Sequence, residues 1–295
     1  MSIIEAIILG VVQGITEFLP VSSSGHLVLL QEIFGIEEPT LLFDTVVHVG
    51  TLVAVCSVLW KDIGNLLKKL IQPLTLYLII GTIPAVVAAL LFRGSIEASF
   101  SSTSFLGFAF LITTGLLVFS ELFYKRKSSV PGDKADNKVN SKANNKVAVS
   151  SEGPAEIHPT GKDSEKMTWI DALIIGVFQA VAITPGISRS GATLSAGFFR
   201  GLSRDFAVRF SFLLSIPAIF GALVLQIKDL GGGTVGGIGA VPLAVGAVSA
   251  AVVGFFSIKL MLKIVREKSL LGFALYTGIL GVFVLIDRFG SHIFL

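Results

Sequence analysis

Charge is what this sequence has least of. Only 15% of its 295 residues are Asp, Glu, Lys or Arg, against 53% hydrophobic ones, and the mean hydropathy is +0.83. Soluble domains carry about 25% charged residues, so this chain cannot build an ordinary water-exposed surface. Cysteine is almost missing. Cys56 stands alone in an apolar stretch, which excludes an internal disulfide and says little about redox compartment. The first residues lack a basic patch and carry Glu5, so they are not expected to form a cleaved signal peptide. No Cys/His cluster, HExxH motif or GxxxxGKS/T loop occurs, which leaves zinc hydrolysis and nucleotide-driven pumping without support.

What the chain does have is long apolar runs. Six stretches, 41–60, 74–92, 103–123, 205–227, 241–262 and 270–288, approach the roughly 20 residues a helix needs to cross about 30 Å of hydrocarbon. The net charge of +3 and pI near 9.0 then describe loops that touch anionic headgroups, and they do not argue for nucleic acid. The expected fold class is an all-α polytopic membrane protein. It has six transmembrane helices plus two re-entrant helix-turn-helix segments, arranged as an inverted repeat.

One segment interrupts the apolar pattern. Residues 125–167 are rich in Lys, Asn, Ser, Asp and Gly, the composition of a flexible polar linker. It separates a first repeat, 1–124, from a second, 168–295. A shift of 166 positions aligns 5–25 with 171–191 without gaps and gives eight identities in twenty-one positions, among them Gly10/Gly176, Gln13/Gln179, Ser22/Ser188 and Gly25/Gly191. Each half opens with an apolar run broken by Pro and small polar residues, 3–34 and 168–199, followed by three spans. Each arm of about 15 residues rises near 22 Å, too short to cross comfortably, so the break is expected inside the membrane against a cavity.

Three spans per half is an odd number, so the halves run in opposite directions. Lys61, Lys68, Lys69, the linker, Arg200, Arg204, Arg209, Lys263, Arg266 and Lys268 fall on one side, which the positive-inside rule assigns to the cytoplasm. Both termini then face out, and the two breaks meet near the midplane, as in inverted-repeat transporters.

The first break reads QGITEFLPVSSSGH (13–26). Gln13 and Glu17 are four apart and share a helix face. A carboxylate at membrane depth costs about 2.5–3.5 kcal/mol, so Glu17 must face a cavity, find a partner or be protonated. An interfacial Glu near a helix end is the plainer reading. Ser22, Ser23, Ser24 and Gly25 precede His26, and small residues at a helix start leave N–H groups aimed at one spot, which favours an anion. An N-cap explains one serine, hardly three. His26 suits orienting a nucleophile, acting as an acid, or itself attacking phosphorus.

The second break, TPGISRSGAT (184–193), adds the hydroxyls of Ser188, Ser190 and Thr193 and the guanidinium of Arg189, whose planar fork fits two phosphate oxygens. Snorkelling to headgroups accounts for Arg200, Arg204 and Arg209 better than for Arg189. Carboxylate, imidazole, hydroxyls and guanidinium near one place are the inventory for displacement at a phosphoryl group. Asp44 and His48, four apart in span 41–60, either extend the site or make helix-packing hydrogen bonds, and Asp44 is kept as a candidate contact.

These residues resemble the motifs of the undecaprenyl-diphosphate phosphatase family, the bacitracin-resistance type. Gln13 and Glu17 match its first motif, Ser22 to His26 its serine-Gly-His element, and PGISRSGAT (185–193) its PGxSRSxxT motif. The resemblance implies hydrolysis of a polyprenyl diphosphate to the monophosphate and inorganic phosphate. It also implies recycling of the lipid carrier for cell-wall glycans, bacitracin resistance, and a plasma-membrane site opening to the outer face. Carried over, Glu17, Ser23, His26 and Arg189 are the catalytic core, and Gln13, Ser22, Ser24, Ser188, Ser190 and Thr193 contact the phosphates. Ser23 is the favoured nucleophile, activated through His26 and Glu17, with direct attack by His26 as the alternative.

Members of that family often want a divalent cation, so Mg2+ or Ca2+ bridging the diphosphate and Glu17 is expected. No dedicated metal site stands out, Gln13 weakens a two-carboxylate scheme, and no organic cofactor is implied. The expected partners are the lipid diphosphate, the bilayer and a second copy in a homodimer. The competing reading is a transporter or flippase for an anionic lipid, suggested by inverted repeats alone. The type 2 phosphatidate phosphatase superfamily is set aside, because residues 190–204 hold no second His.

Overall fold

The computed structural model describes residues 1–36, 40–92, 94, 105–128, 161–230 and 237–291. Among them the first half forms α1 (Ile3–Thr16), α2 (Ser23–Ile33), α3 (Leu41–Val58), α4 (Trp60–Lys68), α5 (Pro73–Leu91) and α6 (Leu106–Ser128). The second forms α7 (Trp169–Val181), α8 (Arg189–Phe199), α9 (Arg204–Leu230), α10 (Ala240–Glu267) and α11 (Leu271–Ile286), closed by a π-helical turn at Asp287–Ser291. No strand occurs among the described residues.

Six of these helices are long and apolar enough to cross a membrane: Leu41–Val58, Pro73–Leu91, Leu106–Arg126, Arg204–Leu225, Ala240–Glu267 and Leu271–Gly290. They lie where hydropathy puts them, with ends shifted by a few residues. Positions 103 and 104 of the third expected span, and 129–160 of the expected linker, lie outside the described residues. The chain is a multi-pass membrane protein. Its spans turn large side chains outward, as at Leu90, Phe119, Val248, Phe256, Leu275 and Ile279.

The stretch 61–73, expected as a plain loop, contains α4. Ile63 and Leu66, three apart, pack against the core while Lys61, Asp62 and Lys68 stay at the surface. That spacing gives a short amphipathic helix at the end of the bundle.

Lipid is as apolar as leucine, so close packing is what draws membrane helices together. The packing here is reciprocal between halves: α1 lies on α10 and α7 lies on α5, while α3 meets α9 and α6 meets α11. A Cβ at Gly10 would sit 2.4 Å from the carbonyl oxygen of Gly246, and one at Gly176 would sit 2.4 Å from that of Gly81. Gly10 and Gly176 are the pair aligned by sequence. Their helices also start alike, with capping boxes at Ser2/Glu5 and Thr168/Asp171, again 166 positions apart.

At one end of the bundle the basic residues are paired. Arg200 and Lys162 bind the buried Asp171 at 2.7 and 3.0 Å, and Arg209 bridges Asp62 (3.3 Å) and Asp205 (3.0 Å), which also takes Arg266 at 2.5 Å. Arg204 binds the fully buried Glu121 and stacks 4.8 Å from Tyr124 and 5.2 Å from Phe198. Snorkelling therefore does not describe Arg200, Arg204 or Arg209. For Arg200 and Arg204 a buried carboxylate within reach outcompetes a headgroup, since leaving that carboxylate unpaired is costly. Arg209 is held between two partly exposed carboxylates, Asp62 and Asp205. These contacts also put 60–68, 200–209 and 263–269 together at one end.

Candidate active site

Two broken helices supply the site. α1 ends before Pro20, and α7 ends before Pro185, where the missing N–H and fixed ring stop a helix. Gly186 takes φ +85° in the second turn, and Ser22 takes φ +72° in the first, a region serine rarely adopts. The turns place Ser23 and Arg189 as the first residues of α2 and α8.

Both reach Glu17. Ser23 Oγ donates to Glu17 Oε2 at 2.6 Å, and Arg189 Nη2 donates to Oε1. Gln13 Nε2, one turn back on α1, donates to Oε2 at 3.1 Å, and His48 Nε2 approaches Oε2 from α3 at 3.7 Å. The Glu17 side chain is 5% exposed. Buried as it is, the carboxylate accepts from three donors, Ser23, Arg189 and Gln13. Arg189 Nη1 is buried without a partner, as is Gln13 Oε1. A guanidinium that gives one nitrogen to a carboxylate and keeps another unbonded still has donors for a phosphate.

The other hydroxyls hold the turns in shape. Ser22 Oγ accepts the Gly25 N–H at 3.3 Å, and Ser188 Oγ accepts that of Gly191 at 3.1 Å, so both are N-caps. Ser24 Oγ accepts the Gly186 N–H at 3.2 Å, and Ser190 Oγ donates to the Leu19 carbonyl at 2.9 Å, so each turn is tied to the other. Thr193 Oγ1 donates to the Arg189 carbonyl at 2.9 Å and lies 2.6 Å from Ser211 Oγ. Of the six hydroxyl residues expected near phosphate, only Ser23 bonds Glu17.

His26 stands apart from that cluster. Its Nδ1 lies 2.6 Å from the Ser22 carbonyl, and its Nε2 lies 2.7 Å from the Tyr276 hydroxyl. No hydrogen bond joins it to Ser23 or Glu17 among the described residues, so activation of Ser23 through His26 has no contact behind it. The carboxylate takes that place directly. Asp44 accepts from Gln31 at 2.7 Å and Thr40 at 3.1 Å, tying α3 to α2, and does not touch Glu17.

Sequence reasoning passed over two neighbours. His48 had one signal, its four-residue spacing from Asp44, whose carbonyl holds its Nδ1 at 2.6 Å. Tyr276 had none. The second half lacks a matching cluster: Ile183 stands where the shift of 166 would put a second Glu17, and Gln179, the counterpart of Gln13, is buried with both amide atoms unbonded.

Among the described residues no three His, Cys, Asp or Glu side chains group as metal ligands, and the Glu17 oxygens already accept from Arg189, Ser23 and Gln13. The residues present do not make a resident metal site.

The chain matches the family model described as bacitracin resistance protein BacA over residues 6–283. It is 42% identical over 288 residues to an undecaprenyl-diphosphatase of Carboxydothermus hydrogenoformans, covering 97% of each chain. An undecaprenyl-diphosphatase of Methanosphaera stadtmanae is 38% identical, with 97% of this chain and 98% of that one aligned. Undecaprenyl-diphosphatase 3 of Bacillus cereus is 39% identical over 289 residues and 98% of each chain.

Proposed function

The chain belongs to the BacA bacitracin-resistance family, and from that premise we propose that it hydrolyses undecaprenyl diphosphate to the monophosphate and inorganic phosphate. The observation that carries this reading is the meeting of Ser23 and Arg189 on Glu17. A hydroxyl whose proton already points at a carboxylate is a prepared nucleophile.

Ser23 Oγ attacks the terminal phosphorus while its proton passes to Glu17. The anhydride P–O bond breaks, and its electron pair leaves with the lipid monophosphate. Arg189, through its unbonded Nη1, and the N-terminus of α2 take up the developing charge. Glu17 passes the proton from Ser23 to the departing monophosphate oxygen, which restores the carboxylate. Water then attacks the phosphoserine as Glu17 takes its proton, and Glu17 returns that proton to Ser23 Oγ as the serine–phosphate bond breaks and phosphate leaves. His26, three residues along α2 from Ser23, is assigned to the diphosphate as well. Direct attack by His26 is less favoured, since both its ring nitrogens are engaged. Gln13 keeps the carboxylate oriented and Ser24 joins the two turns. Ser22, Ser188, Ser190 and Thr193 shape those turns, and Asp44 supports α3.

A Mg2+ or Ca2+ ion, on this reading, arrives with the diphosphate as its counter-ion, and no step is routed through it. The protein sits in the plasma membrane with both termini outside and the site open to the outer face. The basic end, where positive residues gather, is cytoplasmic by the positive-inside rule. The two breaks are re-entrant, supported by α1 and α7 being only 14 and 13 residues long.

A flippase for an anionic lipid would also suit reciprocal halves. The unmatched cluster speaks against it: one carboxylate, one nucleophile and no counterpart in the second half suit chemistry at one place.

The test is phosphate release by purified protein from undecaprenyl diphosphate, with and without chelator, beside Ser23→Ala and Arg189→Ala. Turnover by the wild type and loss in both variants is expected. Full activity in both would remove the site, and lipid movement across sealed vesicles without phosphate release would favour the flippase. Cross-linking in the same membranes reads whether two copies pair as a homodimer.

A further inference from the structure

The His26 ring is enclosed by two aromatic neighbours. Phe110 from α6 meets it edge-on, centroids 5.5 Å apart at 84°, and Tyr276 from α11 stacks on it, 5.7 Å apart at 10°. A carbonyl oxygen can only accept, so the 2.6 Å contact with Ser22 puts the proton on Nδ1. Nε2 then carries the lone pair, and the Tyr276 O–H, 2.7 Å away, is its donor.

Tyr276 is itself firmly placed. The next residue, Thr277, shares a hydrogen bond with Thr114 of α6 at 2.8 Å, and a Cβ at Gly281 would sit 2.9 Å from the Gly107 carbonyl oxygen. The phenol therefore rides on a closely packed helix pair. It is also 47% exposed on a membrane span, whereas Glu17 is 6% exposed. Tyr276 and His26 thus lie at the margin of the site, where hydrocarbon begins. A phenol in that position needs a partner for its O–H, and the imidazole supplies one.

We infer that Tyr276 is a positioning residue for the phosphatase reaction: its hydroxyl and ring hold His26 in one orientation and one plane at the lipid-facing margin of the site. The inference rests on the phosphatase reading and on His26 acting at the diphosphate. The stack fixes the ring plane, the Ser22 carbonyl holds the proton on Nδ1, and the phenol O–H anchors Nε2. Nε2 is the imidazole nitrogen left to meet substrate, and it does so as an acceptor, for a P–OH or for a water on the phosphate, once the phenol yields. One face of α11, carrying Leu275, Tyr276, Ile279 and Phe283, turns outward, so a substrate whose tail stays in the bilayer meets this pair at the edge of the polar cluster.

Tyr276→Phe keeps the ring and removes the hydroxyl. It is expected to lower kcat about tenfold with KM within about twofold, because orientation is lost while binding is kept. In a His26→Ala background the same substitution should change nothing further, as two residues acting as a unit require. Nitrogen-15 spectra of histidine-labelled protein should show His26 as the Nδ1–H tautomer in both proteins, held by the Ser22 carbonyl, with the Nε2 resonance shifted in Tyr276→Phe by loss of its donor. Tyr276→Leu removes the ring too and should lose about a hundredfold.

Wild-type kcat in Tyr276→Phe overturns the inference. So does an equal loss with and without His26, which would mean that Tyr276 acts elsewhere. If Tyr276→Phe folds poorly, the wild-type tautomer decides, and an Nε2–H signal for His26 refutes the arrangement. If the wild type releases no phosphate, the functional reading is what fails, and the tautomer spectrum still reports on the geometry separately.

Discussion

Ser23 and Arg189 stand 166 positions apart, each the first residue of the helix after its half's break, and they bind different oxygens of one carboxylate, Glu17. Equivalent positions have become a hydroxyl and a cation. The reciprocal packing of α1 on α10 and α7 on α5 brings these helix starts together, and Ile183 in place of a second carboxylate leaves one site where symmetry allows two.

Arg189→Lys should retain the fold and lose activity. A lysine ammonium reaches as a point charge and cannot hold Glu17 and a phosphate oxygen through separate nitrogens. The expected fall in kcat/KM is about a hundredfold or more, by analogy with loss of a transition-state donor. Phosphate release under single-turnover conditions checks it.

Glu17→Gln should cost stability as well as activity, since it leaves the Arg189 charge buried without its partner. Breaking a buried pair on one side costs about 3–5 kcal/mol, and removing both partners costs far less. Melting of the detergent-solubilised protein should drop for Glu17→Gln and recover in Glu17→Gln/Arg189→Met, which stays inactive. A single variant as stable as wild type would mean that the pair carries no such weight.

Ser23→Ala and Ser190→Ala should separate chemistry from turn packing. The first removes the hydroxyl on Glu17 and is expected to abolish turnover with little change in melting. The second removes a hydrogen bond to the Leu19 carbonyl, which costs about 1 kcal/mol of stability and leaves kcat within a few-fold. The reverse pattern would move the nucleophile to the second turn.

His48→Ala should lower kcat about tenfold by removing a polar neighbour of the Glu17 carboxylate, while His48→Gln recovers part of that loss. Steady-state kinetics on the two variants decide whether the α3 imidazole belongs to the site or only to helix packing.

Gly176→Val should prevent assembly of the bundle, because its Cβ would collide with the Gly81 carbonyl oxygen at 2.4 Å, backbone that cannot move aside. Gly64→Ala, in a helix with nothing within 4 Å of the added carbon, is the matched control. Yield of monodisperse protein by gel filtration distinguishes them.

Much of this molecule is local and could be read along the chain. Span positions follow from hydropathy summed over some twenty residues, and the helix breaks from Pro20, Pro185 and Gly186. The shared Gly10/Gly176 and Gln13/Gln179 pairs pointed to related halves before any contact was known, and the glycine pair proved to mark two equivalent close helix crossings. The chemical inventory of the site, Glu17, Ser23 and Arg189, was legible too, because charged and hydroxyl residues are costly in hydrocarbon and stand out there. The amphipathic α4 was missed because its nine residues are too short for a span, although Trp60, Ile63, Leu66 and Leu67 recur at helical spacing.

What the chain by itself determined is therefore a membrane protein of six spans with two interrupted helices and one set of polar groups at the breaks. The tertiary structure alone decided which groups touch. Tyr276 meets His26 across 250 residues, His48 turns toward Glu17, Arg204 finds Glu121, and most of the expected phosphate-contacting hydroxyls face inward to cap and tie the turns. Composition and periodicity report how deep a residue lies and where a helix stops. Partnership depends on how each helix is rotated about its axis, and that rotation is set by glycine contacts and side-chain fit between distant segments.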